Sequence, residues 1–215
     1  MKIKILIVDD HPIFRKGLKA ELIHEPSIKI VGEAADSNDA IALTKKLSPD
    51  VIILDVNLPG KNGIEIAKEI RTFSADIKII FLTMYNEEDL FNMAFDVGAS
   101  AYLLKENAVD EVIAAVNEAY NGGNYVSQSV VNYFVNRKKK VSELFMENPG
   151  IKNLTEKEKE ILRLISQGKT SKEIADELFL SYKTVENHRT RICGKLSIKG
   201  AFALLKFAIE NKSII

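Results

Sequence analysis

The sequence predicts an α/β protein: a doubly wound, five-stranded parallel sheet followed by a small all-α domain of four helices. Two patterns lead to this prediction. In the first 120 residues, short apolar runs alternate with amphipathic stretches, which is the order of strands and helices in a parallel sheet covered on both faces. After residue 150 only the helical period remains. The length of 215 residues suits two domains of modest size.

The third strand is the clearest of the five. Val51–Asp55 begins with four apolar residues, three of them β-branched, which indicates a strand buried on both faces. A Pro-Gly pair closes the loop that follows, so Asp55 lies at the carboxyl end of the strand. Ser37 is the predicted cap of the second helix. The predicted strands are 3–8, 28–34, 51–55, 78–82 and 101–104, and the predicted helices are 11–23, 38–47, 64–73, 87–97 and 109–120.

A change in composition near residue 125 predicts a linker. The stretch is polar, contains the basic run 137–140 and ends at an Asn-Pro-Gly sequence at 148–150, which favours a break in regular structure. Apolar residues between 130 and 135 indicate at least one helical turn inside it. The predicted organisation is therefore a first domain at 1–124, a helical or partly ordered linker at 125–149 and a second domain at 150–215.

The second domain is predicted to be entirely helical. Thr155 and Glu158 have the spacing of a capping box, in which each side chain bonds the backbone N–H of the other residue at the start of a helix. A short helix, a tight turn and a longer, polar-faced helix follow, which is the pattern of a helix-turn-helix. The four predicted helices run from about 156 to 168, 171 to 178, 182 to 196 and 199 to 211.

Charge is distributed unevenly along a chain whose net charge is zero. Residues 1–125 carry 13 Lys and Arg against 20 Asp and Glu, a net charge of −7, while residues 126–215 carry +7. The split predicts that the basic half meets a polyanion and that the acidic half binds cations or basic partners. Chance, together with the basic run in a solvated linker, is the alternative explanation.

Cysteine content and hydropathy restrict the class of protein. Cys193 is the single cysteine, which excludes an internal disulfide framework and fits a reducing compartment. No apolar run approaches the roughly 18 residues that a membrane-spanning helix needs. The sequence therefore predicts a soluble, cytoplasmic protein with no membrane partner.

Five polar side chains are predicted at the carboxyl edge of the sheet. Asp9 and Asp10 follow the first strand, Asp55 ends the third, and Thr83 and Lys105 follow the fourth and fifth. Because the carboxyl ends of parallel strands meet at one edge, we expect these side chains to form one pocket. Three carboxylates repel one another unless a divalent cation binds among them, and ligands without His or Cys favour Mg²⁺ over zinc. Thr83 and Lys105 can then bind the oxygens of a phosphoryl group on Asp55.

The longer helix of the second domain has an apolar stripe and a polar face. The stripe consists of Val185, His188, Ile192 and Leu196. Its spacing predicts that His188 is packed rather than catalytic. The opposite face has side chains suited to base edges and phosphates, although an ordinary solvated face has similar spacing. The residues predicted to contact DNA are Lys183, Glu186, Asn187, Arg189, Thr190, Arg191 and Lys195.

The first 120 residues resemble the CheY-like receiver domain of two-component response regulators. The matching residues are Asp9, Asp10, Asp55, Thr83, Tyr102 and Lys105. The resemblance implies a flavodoxin-like fold, and it implies that a sensor histidine kinase phosphorylates Asp55 with Mg²⁺ as cofactor. It also implies direct coordination of Mg²⁺ by Asp10 and Asp55, with the Asn57 backbone carbonyl as a further ligand and Asp9 acting largely through water. Thr83 and Tyr102 would form the switch. Glu106 departs from the family, which often has proline there.

The second domain is similar to the LuxR-type helix-turn-helix. The resemblance covers the runs 154–158, 168–175 and 181–189, so the whole chain resembles a NarL/FixJ-family response regulator. It implies binding to double-stranded DNA, with RNA polymerase as a candidate partner. A single recognition helix reads few base pairs, so a homodimer on an inverted repeat is predicted for the active form. Glu186 departs from the family, which often has lysine there, and an acid weakens phosphate attraction.

The predicted function is transcription control switched by phosphorylation at Asp55. The chain is not expected to be an enzyme, apart from catalysing its own phosphorylation and slow dephosphorylation. One alternative is an enzyme of the aspartyl-phosphate hydrolase type, but such an enzyme needs a second Asp two residues after the nucleophile, where this chain has Asn57. Another is a protein-interaction regulator that works without phosphorylation, against which the complete set of pocket residues argues.

Overall fold

The computed structural model of the protein describes residues 2–212. The chain divides into two compact units, Met1–Val135 and Asn136–Ile215. The first unit contains β1 (Ile3–Val8), α1 (Pro12–Ile23), β2 (Ile28–Ala34), α2 (Ser37–Leu47), β3 (Val51–Asp55), α3 (Gly63–Phe73), β4 (Lys78–Thr83), α4 (Glu88–Asp96), β5 (Ala99–Leu104), α5 (Lys105–Tyr120) and β6 (Tyr125–Val126). No helix among these described residues or those of the second unit is long and apolar enough to cross a membrane.

The strands form one parallel sheet in the order β2-β1-β3-β4-β5-β6. The doubly wound parallel sheet predicted from the sequence is confirmed, with one strand more than the predicted five. β6 has two residues and pairs with Ala101 and Tyr102 of β5. A two-residue strand is too short to show periodicity, so the sequence pattern missed it. The order reverses between β1 and β3, and this switch point is where ligands bind in sheets of this kind.

Successive side chains along each strand pack alternately into two separate cores, one on each face of the sheet. Leu6, Val8, Ile52 and Leu54 face one core with the apolar residues of α3 and α4. The intervening residues face the other core, where Leu18 and Leu22 of α1 pack with the apolar side of α5. Both faces are buried, which explains why β1 and β3 are apolar without alternation. The sheet is thus a rigid support for the loops at its carboxyl edge.

The cap of α2 and the start of α5 differ from the prediction, whereas α1, α3 and α4 begin within one residue of it. Asp36, rather than Ser37, caps α2, because its carboxylate accepts hydrogen bonds from the backbone N–H groups of Asn38 and Asp39. Ser37 is instead the first residue of the helix and is buried. α5 begins at Lys105, four residues before the predicted start at 109, so Glu106 lies in its first turn. The polar residues of that turn carry no apolar periodicity from which the sequence could place the helix start.

The second unit is all helical. α6 (Val131–Glu147) spans the division between the units and is followed by α7 (Glu156–Ser166), α8 (Ser171–Glu177), α9 (Tyr182–Leu196) and α10 (Ala201–Glu210). The helical turn predicted in the linker is therefore the start of a 17-residue helix. The predicted capping box of Thr155 and Glu158 is present, and α8 has a second one from Thr170 and Glu173. α8, the turn and α9 form the helix-turn-helix.

Candidate functional site

An acidic pocket lies at the carboxyl edge of the sheet, beside the switch point. Asp9 follows β1, Asp55 ends β3, Thr83 ends β4, and all three side chains are buried. Asp10, the next residue after Asp9, is about one-third exposed. Lys105 reaches the pocket from the start of α5. The structure therefore brings together the five side chains that the strand ends predicted.

Lys105 joins the two buried carboxylates. Its Nζ lies 2.7 Å from Asp9 Oδ2 and 2.6 Å from Asp55 Oδ2. Burial raises the pKa of Asp55 and outweighs the opposing hydrogen bonds from Lys105 and the Asn57 backbone. For Lys105, burial works against the charged form, but the hydrogen bonds and charges of the two carboxylates are stronger and raise its pKa. Lys105 therefore stays a cation directly at the Asp55 carboxylate.

The loop after β3 is built around Asp55. The Asn57 N–H donates a 3.0 Å hydrogen bond to Asp55 Oδ1, which fixes the carboxylate. Gly63, the first residue of α3, donates its N–H to the Val56 carbonyl at 2.8 Å. A Cβ at position 63 would lie only 2.2 Å from the Asp55 carbonyl oxygen, so no other residue fits there without moving the loop. The predicted third helix begins at 64, so this role of Gly63 was not predicted from the sequence.

Four residues of the pocket have the donor atoms of a metal site. Asp9, Asp10, His11 and Asp55 each offer one ligand atom, and these atoms lie within 4.8 Å of one another. Three carboxylates face one ammonium group here, so a divalent cation fits the charge of the pocket as well as its oxygen ligands. The predicted set of pocket residues lacks His11, although its position directly after the acid pair was a signal.

A cavity of about 640 Å³ opens beside the ion pair. Its lining includes Lys105, His11, Phe14, Ile13 and Met84. The last two side chains are largely exposed. Asn86 and Glu106 also line it, so the cavity combines apolar and polar side chains beside Lys105.

Tyr102, on β5, is completely buried, and burial raises the pKa of its hydroxyl. It begins a chain of aromatic contacts in the first unit. Its ring centroid lies 5.1 Å from that of Phe91 on α4, and Phe91 lies 5.9 Å from Tyr133 and 6.5 Å from Phe134 in the first turn of α6. Phe134 also lies 5.3 Å from Phe95. The rings connect the predicted switch residue to α6, a link that the sequence did not reveal because residues far apart in the chain form it.

Ser127 fixes the segment between β6 and α6. Its side chain is buried, and its Oγ accepts a 3.1 Å hydrogen bond from the Leu104 N–H and donates to the Glu111 carboxylate. Its own N–H donates to the Tyr102 carbonyl at 3.0 Å. The start of the predicted linker is therefore attached to the strand that carries Tyr102 and leads to Lys105.

The polar face of α9 is the second candidate site. Ser181 caps the helix by accepting a hydrogen bond from the Thr184 N–H. Val185, Ile192 and Leu196 are buried, and His188 is half-buried with its Nδ1 enclosed, as the apolar stripe predicted. Of the predicted DNA-contacting residues, Lys183, Asn187, Thr190 and Arg191 are exposed and Glu186 and Arg189 are partly exposed. The helix therefore presents amide, hydroxyl and cationic groups together.

Lys195 was predicted to reach phosphates, but the structure gives its ammonium other partners. Its Nζ lies 2.6 Å from the buried carboxylate of Glu158 and donates a 2.8 Å hydrogen bond to the Asn153 carbonyl. Burial opposes ionisation of Glu158, but the hydrogen bonds from Lys195 and Thr155 outweigh it and lower its pKa. The ion pair joins the start of α7 to the end of α9.

Glu158→Gln is expected to destabilise the second unit by about 1–2 kcal/mol at pH 7, because it removes the negative partner of the ion pair with Lys195. The effect is moderate because the Lys195 side chain is partly exposed to solvent. The Glu158 pKa is lowered from 4.5, so its contribution is complete above that value and is lost as the pH falls through the lower folded-state pKa. Hydrogen exchange of α7 and α9 amides at pH 7 and pH 3.5 measures this. Glu156→Gln, in an exposed pair, is the control. Equal protection of wild type and Glu158→Gln at pH 7 would contradict the prediction.

Comparison with known proteins assigns each of the two domains to a family. Residues 5–117 match the response regulator receiver domain, and residues 152–208 match the luxR family of bacterial regulatory proteins. The transcriptional regulatory protein LiaR of Bacillus subtilis is 37% identical over 209 residues, which cover 97% of this chain and 98% of LiaR. The response regulator UvrY of Escherichia coli is 34% identical, with 97% of this chain and 94% of UvrY covered.

Solved structures also match nearly the whole chain. The RcsB response regulator of Salmonella typhimurium has a TM-score of 0.60 and 29% identity, with 96% of this chain and 98% of RcsB covered. A complex of RcsB with DNA has a TM-score of 0.57 at 29% identity and the same coverage. The family that the sequence resembles is thereby confirmed. The chain belongs to the NarL/FixJ family of two-component response regulators, with a receiver domain followed by a LuxR-type DNA-binding domain.

Proposed function

We propose that a sensor histidine kinase phosphorylates Asp55 in a Mg²⁺-dependent reaction and that phosphorylation switches DNA binding by the second domain. The contact of Lys105 with Asp55 and Asp9 is the observation that carries this proposal. It gives the acceptor carboxylate a fixed cation, next to oxygen ligands suited to a divalent metal. RcsB in complex with DNA supports the second half of the proposal.

Each residue of the pocket has a role in phosphoryl transfer. An Asp55 carboxylate oxygen attacks the phosphorus of the phosphohistidine, the P–N bond breaks, and the imidazole leaves with the electron pair and takes up a proton. Lys105 and Thr83 bind the phosphoryl oxygens. Asp9, Asp10, Asp55 and the Asn57 carbonyl would hold Mg²⁺, which supplies positive charge to the transferred group. Attack by water on the acyl phosphate returns Asp55 slowly to its starting state.

The switch acts through Thr83 and Tyr102. Thr83 Oγ accepts a 3.1 Å hydrogen bond from the Tyr85 N–H, and its own proton can be donated to a phosphoryl oxygen on Asp55, which draws Thr83 toward that group. Movement of Thr83 shifts Tyr102, which presses on Phe91 and through it on the first turn of α6. α6 continues beyond the receiver domain, within the linker that we place at 125–149 between domains at 1–124 and 150–215. The aromatic contacts are therefore the proposed route from Asp55 toward the DNA-binding domain.

The DNA-binding form is proposed to be a homodimer on an inverted repeat. Lys183, Asn187 and Thr190 offer groups to base edges, and Arg189 and Arg191 to phosphates. Glu186 Oε1 lies 3.9 Å from Arg189 Nε, and this weak ion pair competes with a DNA phosphate for the arginine. Lys195 contributes only if it leaves Glu158. Because the target is bacterial DNA, the protein would act in the cytoplasm, with RNA polymerase as a candidate partner.

Phosphorylation is expected to raise the affinity for a DNA fragment carrying the inverted repeat by about tenfold or more. A change of this size is typical of the coupling between two sites of an allosteric protein. The fragment is selected from random sequence with the phosphorylated protein. Fluorescence anisotropy with and without acetyl phosphate, at two salt concentrations, measures the change and the counterion release that phosphate contacts cause. Asp55→Asn is the control that gains nothing from the donor. Equal affinities of phosphorylated and unphosphorylated wild type would refute the switch.

A further inference from the structure

His11 lies at the acidic pocket in a way that its place in the sequence does not require. It is the residue before α1, and its backbone N–H donates a 2.8 Å hydrogen bond to Asp9 Oδ1. Its imidazole turns toward the carboxylates: Nδ1 is 2.7 Å from Asp10 Oδ1 and 3.5 Å from Asp9 Oδ1. About two-thirds of the side chain is exposed, so the imidazole is not confined to this orientation by packing and could instead point into solvent.

The spacing of these atoms suits one cation. Neighbouring ligands of an octahedral ion with bonds of about 2.1 Å lie about 3 Å apart, and opposite ligands lie about 4.2 Å apart. The Nδ1 to Oδ1 separation of 2.7 Å matches the first value. The largest separation in the group of four, 4.8 Å, exceeds the second by a small amount. The imidazole nitrogen and the three carboxylates can thus converge on an ion after small side-chain movements.

Donor chemistry then determines which ion is preferred. Mg²⁺ binds carboxylate, carbonyl and water oxygens, whereas imidazole suits Zn²⁺, Co²⁺ and other first-row transition ions. An all-oxygen pocket has little reason to prefer Co²⁺ strongly, and one nitrogen ligand supplies that reason. We propose that His11 is a metal ligand of the phosphorylation pocket and that it shifts the preference of the pocket from Mg²⁺ toward first-row transition ions. This inference rests on the proposed function only in taking the pocket as a metal site.

The geometry also fits a second role for His11, which the experiment must separate from ligation. The imidazole, with Nδ1 2.7 Å from Asp10 Oδ1, can hold that carboxylate in place without binding the ion itself. A residue that only positions Asp10 strengthens the binding of every ion that Asp10 binds. A ligand strengthens the binding of transition ions much more than that of Mg²⁺. The ratio of the two affinities therefore distinguishes ligation from positioning.

Isothermal titration of the full-length protein with Co²⁺ and with Mg²⁺ tests the proposal without measuring phosphorylation. Wild type is expected to bind one Co²⁺ at least about tenfold more tightly than Mg²⁺. His11→Asn keeps an amide donor near Nδ1 but has no imidazole. It is expected to lose about 10–100-fold in Co²⁺ affinity and less than about threefold in Mg²⁺ affinity. Co²⁺ absorption bands between about 500 and 650 nm should change with this variant, since they report the ligand set.

Two control variants locate the effect. His24→Asn, at the exposed end of α1, is expected to leave both affinities unchanged. Asp9→Asn is expected to weaken both ions, which places Co²⁺ in the pocket. Equal losses of Co²⁺ and Mg²⁺ affinity in His11→Asn would reduce His11 to a positioning residue, and unchanged Co²⁺ affinity would remove it from the site. Failure of wild type to accept a phosphoryl group with Mg²⁺ would instead refute the proposed function and leave the metal result standing.

Discussion

Asp55→Asn is expected to abolish phosphorylation by a small phosphodonor, and chelation of divalent cations is expected to do the same to wild type. The variant removes the oxygen nucleophile but keeps the size of the side chain. Chelation leaves the Asp9, Asp10 and Asp55 carboxylates with one ammonium, that of Lys105, among the pocket residues described, so the pocket repels an anionic donor. Incubation with acetyl phosphate followed by intact-mass measurement reports the added phosphoryl group directly.

Asp76→Asn is the matched control for this experiment. Asp76 is exposed and lies just before β4, at the opposite edge of the sheet from the pocket, so its replacement should leave the mass gain unchanged. A phosphoryl group on Asp55→Asn, or a mass gain in wild type that persists in EDTA, would show that the acceptor or the metal requirement has been assigned wrongly. Asp9 also contacts Lys105, at 2.7 Å, so a phosphoryl group found on Asp55→Asn would identify Asp9 as a second acceptor.

Phe202→Asp is expected to prevent dimerisation of the phosphorylated protein and to weaken its binding to an inverted repeat by about 100-fold or more. Two explanations fit the many apolar residues of α10, a dimer patch or the domain core. In the structure each explanation fits different residues. Leu204 and Ala208 are completely buried in the core, whereas Phe202 is 80% exposed and Ile209, seven residues later on the same side of the helix, is 52% exposed.

The size of this effect follows from two-fold symmetry. An isologous interface contains Phe202 twice, once from each subunit. Loss of one buried aromatic anchor costs about 2 kcal/mol or more, so loss of both costs about 4 kcal/mol of dimerisation free energy. Analytical ultracentrifugation of the phosphorylated protein gives the dimer constant, and anisotropy gives the DNA affinity. Met146→Asp places the same charge at an exposed apolar position of α6 and serves as the control. A stable dimer of Phe202→Asp would place the interface elsewhere.

The sequence by itself determined the parallel sheet and the identity of most pocket residues. Runs such as 51–54 are apolar without alternation because both faces of the sheet are covered, and this pattern is local enough to be seen in the chain. A polar residue that directly follows such a run must lie at the carboxyl edge, which is why Asp9, Asp55 and Thr83 could be grouped before any coordinates. The helix-turn-helix was equally visible, because capping boxes and the helical period are short-range signals.

Only the tertiary structure decided which side chains meet across the fold. The ammonium of Lys195 lies beside Glu158, 37 residues away in the chain, so a residue that looked free for phosphates pairs within its own domain. Tyr102 is linked to α6 only through Phe91 of α4, and β6 exists only because Tyr125–Val126 pairs with β5. Such contacts depend on distances between segments remote in sequence, and no local pattern of residue types encodes them.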